Sequence, residues 1–420
     1  ELPKAETLLF RLLWADDGSE VGSLRLEACL LLEGVASQVG NEELQDAALS
    51  EAERLAWFKQ SDAHMAEARM RRSRQQLRRG NRGEALELAL EALAIGVRLK
   101  DELLTARARN AVGGAQFYSG DLDGASESFR ANLTVDDPVE RFRANNNLGS
   151  LAALRGSLEE SYEHFETALT LARASATLSE VASTLNNLAA TAERLSNYGL
   201  AVRHFRDGLD LARKDRATMV EGQLLVNLAV VYQRQGYLGP AWNTGKEVEE
   251  LAAELGDLRL AAHALDLQAE VKRACGLHEE VINLRRLALD KVRELGDDRR
   301  ALMLKAQLLV LEHVHGGVSL TEAEAAVEEL EAARLMDAST WLWIELALAG
   351  KEPTLVVRHL KRVGEVANRH MQLLKALAQV RASLLPGGRT STRSKASAAA
   401  AAQNAAELLE VLEVAERPFG

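Results

Sequence analysis

The sequence predicts an all-α solenoid of about eight helix–turn–helix repeats, and three observations predict it. Glycines recur on a ladder, Gly40, Gly80, Gly120, Gly156, Gly236, Gly276 and Gly316, in steps of 40 residues apart from one step of 36 and one double step of 80. Residues of the same kind return at fixed distances from each rung. The composition is that of helices: hydrophobic residues make up 47% of the 420 residues, yet aromatics are only 4% and prolines number 6. Strands draw on β-branched and aromatic residues, which this chain lacks in bulk.

A glycine at a helix C-terminus adopts the left-handed conformation without steric cost, so each rung reads as the tight turn inside a repeat. The rung near Ser196-Asn197 has no glycine. Eight residues before the turn stand Leu32, Val112, Leu148, Leu188, Leu228 and Leu308. Five residues after it stand Ala85, Ala125, Ser161, Ala201 and Ala241, and four further on Phe129, Phe165 and Phe205. A small residue lets two helices approach, and the ring fills the space beside it.

This combination resembles the tetratricopeptide-repeat (TPR) motif. It stands as Leu148-Gly149, Gly156, Phe165 and Ala168, as Leu188-Ala189, Ala201 and Phe205, and as Leu228-Ala229, Tyr232, Gly236 and Ala241. The resemblance covers roughly residues 22–335 and is clearest in the middle four repeats. It implies a right-handed superhelix. Repeats of about 40 residues are similar to those of kinesin light chain, of bacterial peptide-sensing regulators and of the sensor region of maltose-activator-type ATPases.

Second helices stop at Gly256-Asp257 and Gly296-Asp297, where the Asp can cap the next helix; Asp101, Asp137-Pro138 and Asp337 look equivalent. Around Gly80 the framework leucine is replaced by Arg72, which predicts a shifted or partly exposed first helix. The unit around Gly316 lacks the Ala and Phe. The organisation expected is a solenoid over 1–335 and an atypical helical C-terminal cap over 336–385, with helices at Thr340–Leu348, Leu355–Ala367 and Met371–Leu385. A flexible linker over 386–397 and an amphipathic helix within 398–420 follow. That last helix carries Leu408, Leu409, Val411 and Leu412, and is expected to dock on the last repeat, in the groove, or on a second copy as a homodimer contact.

The net charge of −11, from 62 acidic and 51 basic residues, disfavours nonspecific contact with nucleic acid or membrane. Cys29 and Cys275 lack metal-site or redox spacing and read as two buried structural thiols in a reducing cytoplasm. No apolar run approaches the roughly 18 residues a spanning helix needs. A helix beginning almost at residue 1, which is not Met, is expected of a piece cut from a longer chain.

No nucleotide-binding loop, dinucleotide fingerprint, zincin motif or nucleophile elbow is present, so neither cofactor nor catalysis is expected. An enzyme would need a convergent cluster of His, Asp, Glu or Cys. His313-x-His315 reads as two exposed helix-end histidines rather than a chelate. His164 and His204 occupy matching positions in neighbouring repeats and could stack. Asn132-Leu133-Thr134 matches a glycosylation acceptor, irrelevant in a cytoplasmic chain. Seven arginines in Arg69–Arg82 read as a solvated or partner-facing helix side.

The first helices carry the informative residues. By the resemblance they line the groove, with the residue before the framework leucine facing into it. Here that residue is Asn147, Asn187 and Asn227, extended by Asn145, Asn146 and Asn186, with Asn110 near the matching place one repeat earlier. Asparagine is a mediocre helix former, and its amide both donates and accepts, so it can pair with a peptide backbone whatever the side chain. Amide ladders in related TPR proteins hold extended peptides; amides that merely bridge neighbouring helices are the alternative. Helical spacing adds Arg107, Arg143, Arg194 and Arg234, further Arg71, Arg74, Arg78 and Arg273, and Gln223 and Gln233. A basic, amide-rich inner face on an acidic chain points to an acidic peptide or a free carboxylate terminus as partner. The second reading is the ligand-sensing regulatory module of a larger bacterial transcription regulator or signalling ATPase.

Overall fold

A computed structural model of the chain describes residues 21–39, 41–363, 374–379 and 382. Among the described residues there is no strand. The chain divides into two compact units at Leu195/Ser196.

The first unit holds α1 (Val21–Val39), α2 (Glu42–Phe58), α3 (Asp62–Arg78), α4 (Arg82–Leu99), α5 (Glu102–Ser119), α6 (Leu122–Arg130), α7 (Pro138–Arg155), α8 (Leu158–Ser175) and α9 (Leu178–Arg194). Each helix packs on the next, and first helices also touch in a row: α3 on α5, α5 on α7, α7 on α9. The second unit holds α10 (Tyr198–Asp215), α11 (Thr218–Arg234), α12 (Leu238–Leu255), α13 (Leu258–Ala274), α14 (His278–Glu294), α15 (Asp298–Val314), α16 (Leu320–Ala332), α17 (Met336–Ala349) and α18 (Pro353–Arg362). Its helices also pack consecutively, and α11 meets α13 as α15 meets α17. That pattern, second helices alternating with a contiguous row of first helices, is an all-α repeat array.

The turn ladder holds. Gly120 and Gly156 close α5 and α7 at φ of 88° and 84°, and Ser196 takes the same left-handed conformation at 63° without glycine's freedom. Gly40 lies outside the described residues. Asp101, Asp137, Asp257 and Asp297 each accept a backbone N–H as N-caps. Asp337 does not; it sits in the first turn of α17, whose N-cap is Leu335, where its charge still complements the helix N-terminus.

The framework residues form the core. Leu32, Val112, Leu148, Leu188, Leu228 and Leu308 are buried, as are Ala85, Ala125, Ser161, Ala201 and Ala241 and the rings of Phe129, Phe165 and Phe205. The small residue after the leucine is explained by the ring. A Cβ on Gly149 would fall 2.8 Å from Cε1 of Phe165, and one on Gly113 2.5 Å from Cε1 of Phe129. Hydrogen alone fits there.

The short step between Gly120 and Gly156 falls in the second helix. α6 stops at Arg130, and Asn132 then turns inward, fully buried, to donate from Nδ2 to the Ala106 carbonyl at 2.7 Å. The glycosylation-like triplet is therefore a core turn.

Arg72 does not shift its helix. Its guanidinium reaches back to α2, giving Nε and Nη2 to the Glu53 carboxylate at 2.9 and 3.0 Å. Arg79 does the same with Asp46 at 2.7 Å, and holds the Asp46 carboxyl below its ordinary value. Much of the arginine-rich run is thus stitched to acids of α1 and α2 rather than spread in solvent.

In the second unit, Leu330, Leu342, Trp343, Ile344 and Leu346 form a core where α15, α16 and α17 meet. α17 begins at Met336, four residues before the expected start, and α18 ends at Arg362. Residues 374–379 are helical. The helix expected at the very start of the chain, the linker over 386–397 and the helix in 398–420 lie outside the described residues. No described helix is long and apolar enough to cross a membrane.

Candidate functional site

In the first unit, the exposed face of the first helices carries a polar ladder that crosses from each helix to the next. Arg71 of α3 bonds Glu33 of α1 at 2.8 Å and the Leu30 carbonyl at 2.8 Å, and Glu67 within its own helix at 2.7 Å. Arg107 of α5 reaches the other oxygen of Glu67 at 2.5 Å. Asn110 donates from Nδ2 to Glu140 of α7 at 2.5 Å, and Arg143 bonds the second oxygen of Glu140 at 2.8 Å. Arg143 then meets Glu180 of α9 at 3.5 Å, and Asn187 of α9 donates to Oδ1 of Asn146 at 3.2 Å. Arg194 gives Nη1 to the Ala153 carbonyl, near the end of α7, at 3.0 Å.

Burial alone would raise the carboxyl of Glu67; the hydrogen bond from Arg71 and the charges of Arg107 and Arg71 outweigh it and hold the group below its ordinary value. For Arg71, burial opposes the charge, and the bonds to Glu67 and Glu33 outweigh that, raising its pKa. These are charge-assisted contacts in partly buried surroundings, the stronger kind of hydrogen bond.

The structure therefore brings together Arg107, Asn110, Arg143, Asn146, Asn187 and Arg194 on one row of helices. It also shows what sequence reasoning passed over: Glu33, Glu67, Glu140 and Glu180 stand among the arginines and pair with them. A signal existed in the register, since Glu67 lies 40 residues before Arg107 and so occupies the same repeat position. The face is a paired acid–base ladder, and the expectation of a basic, amide-rich face is corrected by the acids that stand among its arginines. The arginines that were expected to select an acidic ligand are largely engaged.

Among the asparagines, Asn147 is half-buried and makes no hydrogen bond with the described residues. Asn110 keeps its buried Oδ1 without a donor among them. Asn186, only 9% exposed, belongs to the interior of α9 and is not available at the surface. Asn145 is buried too, donating to the Arg141 carbonyl at 2.9 Å and meeting His164 at 3.1 Å. Burial pushes the His164 imidazole pKa down, favouring the neutral ring.

Asn227, Gln233 and Arg234 lie on α11 of the second unit. Asn227 is half-buried and Arg234 exposed. Gln233 follows Asn227 by six residues, about 120° round the helix, and so leaves the strip. Further along, Arg285 bonds Glu270 at 2.5 Å and Gln307 at 2.9 Å, while Arg300 meets Asp266 at 3.2 Å. Burial raises the carboxyls of Asp266 and Glu345 despite neighbouring arginines. Arg273 is taken up by Glu270 at 2.7 Å.

His313 and His315 go separate ways: Nδ1 of His313 meets the Val318 carbonyl at 3.1 Å, and His315 stacks on His278 with centroids 4.0 Å apart. Among the described residues no group of three or more His, Cys, Asp or Glu is placed to hold a metal ion. Cys29 is buried as expected and its thiol pushed up to about 12 by desolvation, which keeps it protonated and inert; Cys275, at the C-cap of α13, is exposed and corrects the expectation of a second buried thiol.

Comparison with known proteins agrees with this architecture. A tetratricopeptide-repeat family model matches residues 140–214, which span α7 to α10. No curated protein matches the chain in sequence. Among solved structures, a Rap protein complexed with competence and sporulation factor aligns over 84% of this chain and 100% of its own, at 14% identity and a TM-score of 0.58. Aspartyl phosphate phosphatase F from Bacillus subtilis aligns over 83% and 93%, at 16% identity and a TM-score of 0.53. A signal-transduction ATPase with numerous domains from Pyrococcus horikoshii, which has a tetratricopeptide-repeat sensor, aligns over 89% and 67%, at 14% identity and a TM-score of 0.50. These likenesses concern the fold. With the repeat framework buried as the motif requires, the array has the all-α fold of a tetratricopeptide-repeat solenoid, and the family model identifies its central repeats, residues 140–214, as tetratricopeptide repeats.

Proposed function

We propose that the chain is a non-catalytic binding module that holds an extended peptide, or the tail of a partner protein, along the exposed first-helix face of its first unit. The observation that carries this reading is Asn147. It is a weak helix former placed mid-helix, beside the Asn146–Asn187 bridge, with its own amide uncommitted among the described residues. One such amide can both donate to a peptide C=O and accept from its N–H. The paired Glu–Arg ladder on the same face supplies fixed charges against which a ligand can be registered, which favours specificity and association rate over raw affinity. Within the second unit, taken by itself, Asn227 and Arg234 of α11 are proposed as the equivalent binding positions. A cytoplasmic setting goes with this reading.

The solved Rap protein is complexed with competence and sporulation factor, which supports a binding role for the fold here. The likeness to an ATPase with a repeat sensor favours a second reading, in which this module senses a ligand for a larger bacterial regulator or signalling ATPase. Peptide selection on the purified chain, with Asn147→Ala as control, tests the first. Finding an ATPase or DNA-binding domain in the same polypeptide would favour the second.

A further inference from the structure

The end of α2 carries two aromatic rings that the array does not require. Trp57 is 75% exposed and Phe58 73%, the two most exposed aromatic side chains among the described residues. They stand seventeen and eighteen residues after the turn at Gly40. The same places in later repeats hold Arg173, Arg213 and Arg293, and Lys214, Glu254 and Glu294, all exposed. The position is a solvated one that a charged residue satisfies, so packing within the repeat does not explain the rings.

The rings border a groove. The second helices α2 and α4 flank the start of α3, and an open space of about 800 Å³ lies between them. Ala56, Met65, Ala94 and Ile95 give it apolar surface beside Trp57 and Phe58. Two ion pairs line it as well, Arg98 with Asp62 at 2.7 Å and Arg69 with Glu91 at 3.2 Å. This is not the face of the polar ladder. On α3 the groove uses Asp62, Met65 and Arg69, whereas the ladder uses Glu67 and Arg71, about half a turn round the helix.

An exposed apolar patch rimmed by charge marks an interaction site. Its occupant follows from shape and charge together. Two acids and two bases line the groove, so it favours neither an acidic nor a basic partner. Turned about a two-fold axis, the same surface sets rings against a recess and acids against bases, so it is complementary to itself. The area is sufficient. The four rings of a pair would bury about 600 Å², and the surface they cover adds about as much again, which reaches the roughly 1,200 Å² at which specific interfaces begin.

We propose that this groove is a two-fold contact between two copies of the chain, the Trp57 and Phe58 rings of each copy entering the groove of the other. The homodimer contact is thereby assigned to α2, α3 and α4 rather than to the segment 398–420. The proposal is independent of the peptide-binding reading, which concerns the other side of α3.

The test uses the full chain, as wild type and as the double variant Trp57→Arg/Phe58→Lys, which puts at each place a residue that later repeats carry there. Sedimentation equilibrium should show wild type passing from one chain mass to two as concentration rises. The double variant should stay at one chain mass, its self-association weakened about a hundred-fold or more, with an unchanged circular dichroism spectrum and thermal midpoint. Oxidative footprinting of wild type at the same concentrations should show Trp57 modified where the mass is that of one chain and protected where it is that of two. A dimer that persists in the double variant would overturn the proposal by placing the contact elsewhere. Protection of Trp57 at the mass of one chain would overturn it in favour of a segment of the same chain lying over the groove. A single chain at every concentration with Trp57 freely modified would overturn it too and leave the groove to a different partner. None of these outcomes bears on peptide binding.

Discussion

Asn187 of α9 donates its side-chain amide to the Asn146 oxygen of α7 at 3.2 Å, so one member of the asparagine series ties two repeats together while its neighbour Asn147 stays uncommitted among the described residues. The two functions considered for these amides, bridging helices and holding a ligand, thus fall on different residues. Asn187→Ala should cost about 1 kcal/mol of stability, and a double-mutant cycle with Asn146→Ala should show coupling between them. Asn147→Ala should leave the denaturation midpoint unchanged within error or raise it, since alanine is the better helix former.

The two adjoining classes of helical glycine predict opposite outcomes. Gly149→Ala should destabilise, because its Cβ would lie 2.8 Å from the Phe165 ring, and about 1–3 kcal/mol of overpacking exceeds the gain in helix propensity. Gly114→Ala should stabilise by up to about 1 kcal/mol, because its Cβ would meet nothing within 4 Å. Phe165→Ala, which empties the site, should cost about 3–5 kcal/mol. Chemical denaturation of the three variants checks the order.

Ser196 holds a left-handed turn that a glycine fills at most other rungs of the ladder. Ser196→Gly should raise stability by about 1 kcal/mol, because the Cβ clash disappears. A lower thermal midpoint in this variant would show that the serine side chain has a role that the backbone conformation does not reveal.

Acid should loosen the first-helix ladder at Glu67. Its folded pKa lies below the ordinary 4.5 because Arg71 and Arg107 hold the charged form. The stabilisation is therefore whole above about pH 4.5 and is lost as pH falls through the lower folded value. Glu67→Gln should be less stable than wild type at pH 7, and the gap should close on acidification below pH 4.5. A gap independent of pH would mean that the ion pairs contribute nothing there.

The repeat framework was legible because solenoid repetition writes the same packing problem many times. Leu148, Gly149 and Phe165 solve it in one repeat, and Leu188, Ala189 and Phe205 carry the same solution in the next. The surface ladder was legible only in part. Arg107 and Arg143 were found by helical spacing, but their partners Glu67 and Glu140 were not, since each pair is made across helices by side chains whose rotamers no periodicity records. Burial of Asn186 beside half-buried Asn187 shows the same limit: one residue of offset, about 100° on a helix, separates a core amide from one nearer the surface. Asp337 kept its place at a helix start but not its role as the cap.

The central claim is that Asn147 and its neighbours hold a peptide backbone on this face. Calorimetric titration of one amidated peptide, selected by wild type from a pool of randomised peptides, into wild type and Asn147→Ala tests it most directly. Loss of the two backbone hydrogen bonds that one amide can make should weaken binding by about ten-fold or more, with helicity by circular dichroism unchanged. Equal affinity for the variant would contradict the claim and move the working surface elsewhere on the molecule.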